Sequence, residues 1–366
     1  MNPKIKWLRD KVRLSNLDGI IISNPINIRY LTGIDAEGTL LITRKENFYI
    51  TDSRYIEYAK SVITINDEII VCNMKDISKE DYENFFLFCD NVGFEEDYIT
   101  YLTYKQYMQK YKINNFEETE GIIEKQRIIK DEEEIGYIEK ACQITDLCFN
   151  YLTNFIKIGM TEKEVAFEIE KFFIQNGAEG VSFETIVASG KNSSKPHAIP
   201  SDKKIELGDP ITIDMGCKYN GYCSDMTRTI FAGYIPVKIR EIYDLVLKNQ
   251  KQTLKGMKDG ANIKVISRNV ENDFKLHNYD LIHSLGHGVG LDIHERPFIN
   301  SKNDNLLKEN MIVTNEPGIY VPGVYGVRIE DTVLITKSGC INLTKSGKNY
   351  IIVDEQDVTK YKDIIS

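Results

Sequence analysis

The dipeptide Asn220-Gly221, within PITIDMGCKYNGYCSDMTRTI, constrains the local fold more than any other short stretch of this chain. Asn-Gly between two apolar runs is typical of a two-residue β-hairpin turn, because both residues tolerate a positive φ. The register of that hairpin pairs Asp214 with Thr227. Asp225 lies two residues before Thr227 and therefore on the same face as Asp214. The sequence predicts a hairpin with two carboxylates on one face.

Two aspartates among isoleucines and methionines raise the question of what balances their charge. Burying two carboxylates without a positive partner is costly. If Asp214 and Asp225 both point to solvent, they need no partner. Glu316 in VTNEPGIY and Glu330 in VRIEDTV repeat the pattern, since each follows β-branched residues beside turn signals. Taken together, the four carboxylates favour a bound cation over four separate surface residues.

Three of the five histidines of the chain lie in HSLGHGVGLDIHE, residues 283–295. His283 and His287 have the spacing of a zinc-binding helix, but each of the three glycines costs a helix about 1 kcal/mol relative to alanine. The segment GHGVGL also lacks the GxGxxG spacing of a dinucleotide-binding loop. We therefore expect extended backbone here, with glycines that allow close approach to a ligand.

Capping signals and apolar spacing predict three helices in the second half of the chain. Asp131 caps a helix that begins in DEEE and has an apolar stripe at spacings of three and four. Thr161 and Glu164 form a capping box that opens a second helix, which stops near Gly177. Pro236 starts a third helix, which runs towards residue 260. The first third shows strand-like runs at 19–23, 39–52 and 62–72, typical of a small α/β domain.

Five motifs occur in one order along the chain: KPHAIP (195–200), TIDMGCKYNGYCSDMTRT (212–229), HSLGHGVGLDIHE (283–295), TNEPGIY (314–320) and GVRIEDTV (326–333). Together they closely resemble the metallopeptidases that include aminopeptidase P, prolidase and methionine aminopeptidase, a family whose fold creatinase shares. NIRYLTG (27–33) and YITDSRY (49–55) also resemble the N-terminal domain of that family. The resemblance covers nearly the whole chain.

The resemblance implies an α+β fold in two domains. A creatinase-like α/β domain is expected over residues 1–126, and a "pita-bread" catalytic domain over residues 127–366. The charged run EKQRIIKDEEE (124–134) marks the boundary.

By position, the resemblance also implies a dinuclear metal centre. Asp214 would bind one ion, His287 and Glu316 the other, and Asp225 and Glu330 would bridge the two. Four carboxylates carry a formal charge of about −4, which two divalent cations balance. An oxygen-rich set with one imidazole favours Mn²⁺, with Co²⁺, Fe²⁺ and Zn²⁺ as alternatives.

The same resemblance implies catalytic roles for five residues. Glu316 would act as a general base or proton shuttle towards a water activated by the metals. His294 would stabilise the oxyanion, and His197 would contact or protonate the leaving nitrogen. His283 and Arg328 would position the substrate and the carboxylates.

The two-domain layout and the leading His283 resemble the proline-directed branch of the family. We expect an Xaa-Pro aminopeptidase, with an Xaa-Pro dipeptidase (prolidase) acting on dipeptides as the alternative. A lysine at position 302, where bacterial relatives often carry an arginine, would weaken bidentate binding of a product carboxylate and so argues against strict dipeptidase activity. A non-catalytic peptide-binding module is a remoter alternative, and a creatinase-like activity is disfavoured by the complete ligand set.

Composition excludes several other classes of protein. The net charge of −9, without a basic cluster, argues against nucleic-acid binding. The apolar run 19–22 is too short for a signal peptide or a membrane span. Seven scattered cysteines without CxxC spacing argue against a disulfide framework and favour the cytoplasm. We expect a homodimer that takes proline-containing peptides as substrates.

Overall fold

The computed structural model describes residues 2–44, 46–64 and 68–355, and the chain divides into two units, Met1–Arg127 and Ile128–Ser366. The first unit contains one mixed sheet in the order β4-β3-β2-β1-β5-β6. Its strands are β1 (Gly19–Ile22), β2 (Thr39–Ile42), β3 (Asn47–Thr51), β4 (Ile69–Asn73), β5 (Asn91–Phe94) and β6 (Asn115–Glu118). Its helices are α1 (Pro3–Leu14), α2 (Pro25–Thr32), α3 (Ile56–Val62), α4 (Lys79–Asn84), α5 (Tyr101–Tyr111) and α6 (Ile122–Arg127).

The predicted strands of this unit are confirmed in part. The runs at 19–23 and 39–52 form β1, β2 and β3. The prediction over 62–72 is wrong at its start, because α3 extends to Val62 and β4 begins only at Ile69. Residues 65–67 of that prediction lie outside the described residues.

The second unit combines four long helices with two main sheets. The helices are α7 (Glu132–Phe155), α8 (Glu162–Gln175), α9 (Val237–Gly256) and α10 (Ile263–Leu276). One sheet has the order β20-β12-β9-β8, with β8 (Ile186–Ser189), β9 (Pro210–Met215), β12 (Met226–Ala232) and β20 (Ile352–Val353). The other has the order β14-β13-β15-β18-β19, with β13 (Gly286–Gly288), β14 (Glu295–Ile299), β15 (Ile312–Asn315), β18 (Asp331–Ile335) and β19 (Cys340–Asn342).

Smaller pairings complete this unit. The short strands are β7 (Gly180–Val181), β10 (Cys217–Tyr219), β11 (Tyr222–Cys223), β16 (Gly318–Val321) and β17 (Tyr325–Arg328). They form a three-stranded sheet in the order β11-β10-β7 and a β16-β17 hairpin. A 3₁₀ turn spans Gly190–Ser194.

Local capping explains where the long helices begin. The Asp131 carboxylate accepts the backbone N–H of Glu134, and the Glu134 carboxylate accepts that of Asp131, so a capping box opens α7. Thr161 and Glu164 form the same reciprocal pair at α8. Both predictions are confirmed. The third helix begins after Pro236 as predicted, although it ends at Gly256 rather than near residue 260.

Each main sheet is covered by its own pair of helices. Buried side chains of α7 and α8, such as Phe149 and Val165, share one core with Ile213 and Ile230 of β9 and β12. A second core joins α9 and α10 to the sheet containing β13, β15 and β18. Each main sheet thus packs on its own hydrophobic core, and this close packing holds the residues at the strand ends in fixed positions.

The predicted hairpin is present in the predicted register. Asn220 and Gly221 have φ values of +47° and +80°, and Asp214 pairs with Thr227. Asp225 lies immediately before β12 rather than within it. Asp214 and Asp225 therefore lie at neighbouring ends of the paired strands β9 and β12.

Gly286 and Gly288 of HSLGHGVGLDIHE serve strand packing rather than ligand approach, which corrects our expectation for these two glycines. A Cβ at Gly286 would lie 2.2 Å from the carbonyl oxygen of Thr314, and one at Gly288 would lie 2.3 Å from that of Arg296. The neighbouring strands therefore approach too closely for any side chain at these positions. The predicted extended backbone is confirmed, since residues 286–288 form β13.

No helix in the part of the chain that the structure describes is both long enough and apolar enough to span a membrane.

Candidate metal centre and active site

Five side chains from the two main sheets converge on one cavity. Asp214, at the end of β9, and Asp225, before β12, come from one sheet. His287 of β13, Glu316 after β15 and Glu330 before β18 come from the other. All five line a cavity of about 460 Å³.

The two sheets are joined directly beside this cluster. The backbone N–H of Glu330 donates to the carbonyl oxygen of Thr227 over 3.0 Å, and the Thr227 hydroxyl donates to the Glu330 carboxylate over 2.7 Å. The Thr229 hydroxyl donates to the carbonyl oxygen of Arg328 over 3.0 Å. These bonds fix the relative position of acidic residues that lie about a hundred positions apart in sequence.

The imidazole of His287 faces two carboxylates. Its Nε2 lies 3.5 Å from Asp225 Oδ2 and 3.5 Å from Glu316 Oε1. Candidate ligand atoms of Asp225, His287 and Glu330 all lie within 4.8 Å of one another. Such spacing leaves room for a cation between the oxygens and the nitrogen.

The protonation of His287 determines what Nε2 can bind. Its Nδ1 lies 3.1 Å from the carbonyl oxygen of Gly288, which only accepts, so Nδ1 carries the proton. Burial lowers the pKa of His287 to about 4, so the ring is neutral at pH 7. The lone pair of Nε2 therefore faces carboxylate oxygens, an arrangement that a positive ion between them stabilises.

The protein supplies too little positive charge to neutralise the carboxylates of the site. Burial, together with the neighbouring carboxylates, raises the pKa of Asp225 and of Glu330 well above the usual range of a carboxyl group. Burial also raises the pKa of Glu316 to about 8. The Oδ1 atom of Asp214 is buried without a hydrogen-bond partner among the described residues. This donor set fits divalent cations, which would supply both the missing charge and a partner for that oxygen.

Arg328 is a buried cation at the edge of the cluster. Its Nη2 donates to Asp214 Oδ2 over 2.7 Å, and its Nε donates to the Thr227 hydroxyl over 3.0 Å. Its Nη1 donates to the Tyr320 hydroxyl and to the carbonyl oxygen of Pro196. All three guanidinium nitrogens thus donate hydrogen bonds within the protein. Arg328 therefore holds Asp214, Thr227 and Tyr320 in place.

His283 has both ring nitrogens engaged. Nδ1 lies 2.8 Å from the carbonyl oxygen of Ser284, and Nε2 lies 3.1 Å from the Tyr320 hydroxyl. Since that hydroxyl accepts from Arg328, its proton is directed to Nε2 of His283. Burial lowers the pKa of His283 to about 4, so the ring stays neutral.

The remaining two histidines of the predicted site lie at the exposed part of the cavity. His197 and His294 are both solvent-exposed, and both line the cavity. The His294 ring packs edge-to-face on that of His287 with centroids 4.4 Å apart. Every predicted site residue therefore lies at this cavity.

Asn310 and Lys302 both lie outside the lining of the cavity. Asn310 adopts a left-handed conformation, with a φ of +66°, which asparagine tolerates better than most residues. Lys302 lies in an exposed turn and is not among the residues that line the cavity. The lining of the cavity therefore gives no support to the expectation that Lys302 affects dipeptide binding, which stays a prediction.

Sequence reasoning did not identify Thr227 and Tyr320. Both contact Arg328 through their hydroxyl groups, and both lie inside quoted motifs. The hairpin register, which pairs Thr227 with Asp214, was the one signal that pointed to Thr227.

Comparison with known proteins identifies the family. The model of metallopeptidase family M24 matches residues 136–337, and that of the creatinase/prolidase N-terminal domain matches residues 4–129. The chain belongs to metallopeptidase family M24. The predicted family is confirmed, as is the α+β fold with a creatinase-type N-terminal domain and a pita-bread catalytic domain.

Several M24 relatives match more than nine-tenths of the chain. A protein of Pyrococcus horikoshii named Xaa-Pro dipeptidase is 38% identical over 96% of this chain and 99% of its own. The structure of an Xaa-Pro dipeptidase from Bacillus anthracis matches with a TM-score of 0.90 and 38% identity, covering 96% of this chain and 99% of that one. An X-Pro aminopeptidase from Thermotoga maritima matches with a TM-score of 0.85 and 34% identity, covering 93% and 99%. The chain is therefore a metallopeptidase-type hydrolase.

Proposed function

We propose that this chain is an Xaa-Pro dipeptidase, a metal-dependent hydrolase that cleaves the amide bond before proline in dipeptides. The buried cluster of four carboxylates and one neutral imidazole on a cavity of about 460 Å³ carries the proposal. The Xaa-Pro dipeptidases among the relatives, at 38% identity, support the dipeptide substrate. This replaces our first expectation of an aminopeptidase with the alternative.

The five clustered side chains would hold two divalent cations. In the proposed arrangement Asp214 would hold one ion, His287 and Glu316 would hold the other, and Asp225 and Glu330 would contribute to both. When bound, the ions would neutralise the carboxylates, activate a water for attack and polarise the scissile carbonyl. Mn²⁺ suits this oxygen-rich set, and Co²⁺, Fe²⁺ and Zn²⁺ are alternatives.

The other residues of the site act on the substrate and on protons. Glu316 would take up the proton of the attacking water and pass it on towards the leaving nitrogen. His294 would donate a hydrogen bond to the developing oxyanion, and His197 would contact or protonate the proline nitrogen. His283 and Arg328 already form a hydrogen-bonded unit through Tyr320, which would keep the carboxylates and the substrate aligned.

One observation favours the aminopeptidase as a second candidate function. Among the described residues that line the cavity, Arg328 is the one lysine or arginine, and its nitrogens are all occupied. A dipeptide carries its C-terminal carboxylate on the proline next to the scissile bond. Its binding is therefore strengthened by a lysine or arginine side chain that has no other partner. The dipeptidase would need another cation, and Arg296 is the candidate: it does not line the cavity, but it lies on the same exposed face of β14 as the cavity residue Phe298, and its side chain makes no hydrogen bond or ion pair with any described residue.

Substrate length decides between the two functions. We expect the Mn²⁺-loaded protein to cleave Gly-Pro with a kcat/KM at least about tenfold above that for Gly-Pro-Ala, since one charge-assisted contact is lost in the tripeptide. The reverse order would establish the aminopeptidase. Absence of cleavage of both peptides would overturn the proposed function.

A pair of variants tests how the dipeptide carboxylate is bound. Arg296→Gln should raise the KM for Gly-Pro with little change in kcat, because binding of the carboxylate is lost in ground and transition states alike. Lys302→Gln is the matched control, since Lys302 is an exposed cation in the turn after β14 and does not share the face of β14 that carries Phe298. Equal KM values for both variants would exclude Arg296 from this role.

The family resemblance supports three further proposals. These are a homodimer, a cytoplasmic location and a division of the chain into domains at residues 1–126 and 127–366.

A further inference from the structure

One side of the cavity is formed by a loop that we call the cavity loop, residues 190–200. Five consecutive members line the cavity, from Pro196 through His197 to Pro200. Among the described residues, no hydrogen bond involves residues 197–200. The position of His197 therefore depends on the anchors at either side of it.

Those anchors meet at a single carboxylate, that of Glu162. Its Oε1 accepts the backbone N–H of Ser189 over 2.7 Å and the Ser189 hydroxyl over 2.9 Å. Its Oε2 accepts the backbone N–H of Ser201 over 3.0 Å and the Ser201 hydroxyl over 2.7 Å. The side-chain amide of Asn192 donates to both oxygens, over 3.2 and 3.0 Å. One side chain thus joins the two residues that flank the loop to Asn192 in its interior.

The environment of Glu162 is that of a dedicated hydrogen-bond acceptor. The residue is 0% exposed and lies in the first turn of α8, where the helix dipole favours a negative charge. It forms no ion pair with any residue in the described ranges. Its charge is therefore balanced by donors of the cavity loop and by the helix end.

The cavity loop is also tied to the predicted metal centre. Arg328, which donates to Asp214, donates to the carbonyl oxygen of Pro196 over 3.1 Å. The Ser193 hydroxyl accepts the backbone N–H of Gly326 over 2.9 Å. Pro196 is held by Arg328 and Ser201 by Glu162. Residues 197–200, which include His197, therefore lie between two fixed residues.

We propose that Glu162 is a positioning residue that sets His197 against the substrate through the cavity loop. The inference rests on the proposed function, because it assigns His197 to the reaction. Glu162 itself contacts no substrate; its carboxylate acts through Ser189, Asn192 and Ser201.

Glu162→Gln is the direct test. The amide retains one acceptor oxygen but places an NH₂ group against the backbone N–H of Ser189 or Ser201, which cannot reverse its polarity. We expect kcat for Gly-Pro to fall about 10²-fold, the effect of a misplaced catalytic group, while the metal content stays that of the wild type. Hydrogen–deuterium exchange should rise within residues 189–201, where the backbone amide of Ser189 or Ser201 loses its acceptor.

Asp146→Asn is the matched control. Asp146 is also a buried carboxylate, and it accepts the backbone N–H groups of Lys345 and Ser346 in a segment that does not line the cavity. We expect this variant to lose thermal stability but to keep kcat at temperatures where it is folded. An equal loss of kcat in both variants would overturn the proposal.

A double-mutant cycle with His197→Ala separates positioning from general destabilisation. If Glu162 acts through His197, then Glu162→Gln costs little further activity once His197 is absent. Additive losses would overturn the proposal. If Glu162→Gln does not fold, Asn192→Ala, which removes one donor from the loop, should show the same coupling in weaker form.

The exchange experiment keeps this inference distinct from the proposed function. An inactive wild-type protein would overturn the proposed function, whereas hydrogen–deuterium exchange in residues 189–201 would still report on the role of Glu162. Unchanged exchange there in Glu162→Gln, with an active wild type, would overturn the inference alone.

Discussion

Replacing Thr227 with valine tests how the two main sheets are held together at the metal centre. The Thr227 side chain is fully buried; its hydroxyl donates to Glu330 over 2.7 Å and accepts from Arg328 Nε over 3.0 Å. Valine has nearly the same shape but removes both hydrogen bonds. A hydrogen bond to a charged group contributes about 1.5–3 kcal/mol, so the free energy of unfolding should fall by about 3–6 kcal/mol.

The assay is urea unfolding of the full-length protein, combined with metal titration. Thr227→Ser is the control, since it keeps the hydroxyl and loses one methyl group, at a cost of about 1 kcal/mol. Because Thr227 orients the predicted ligand Glu330, Thr227→Val should also weaken metal binding by about 10- to 100-fold. If the valine and serine variants unfold at the same urea concentration and bind metal equally, the hydroxyl does not hold the centre and our reasoning is wrong.

Three further predictions concern the ligands and the first unit. Asp225→Asn should lower metal occupancy at both sites, because Asp225 is proposed to bridge them; an unchanged content of two ions per chain, by elemental analysis, contradicts this. His287→Ala should lose metal first, whereas His294→Ala should keep it and lose about 10²–10³ in turnover, and the reverse result would exchange their roles. Burial raises the pKa of Glu95 to about 7, so stability should decrease by about 3 kcal/mol as pH rises from about 4.5 to 7. The fall occurs because the folded protein retains a proton in this window that the unfolded chain has lost; Glu95→Gln should abolish this part of the pH dependence in urea unfolding, and an identical slope would refute it.

The hairpin and the helix starts could be predicted from sequence because local chemistry determines them. The Asn220-Gly221 turn sets its own register, and that register placed Asp214 opposite Thr227. The capping boxes at Asp131 and Thr161 involve residues three positions apart. Such short-range hydrogen bonding is visible in the sequence without knowledge of the tertiary fold.

The supporting contacts of the site could not be predicted, because they join distant segments. Thr227 and Glu330 are 103 positions apart, and Glu162 and Ser201 are 39 apart. The motifs identified the polar residues but not their partners. The role of Gly286 could not be predicted for the same reason, since the strand that approaches it contains Thr314.

Metal titration of the chelator-treated protein tests the central claim most directly. The protein would be titrated with Mn²⁺ while bound metal and Gly-Pro hydrolysis are measured in the same samples. We predict two ions per chain at saturation and an activity that is absent without metal and rises with occupancy. Full Gly-Pro hydrolysis by protein that elemental analysis shows to be free of metal would contradict the account.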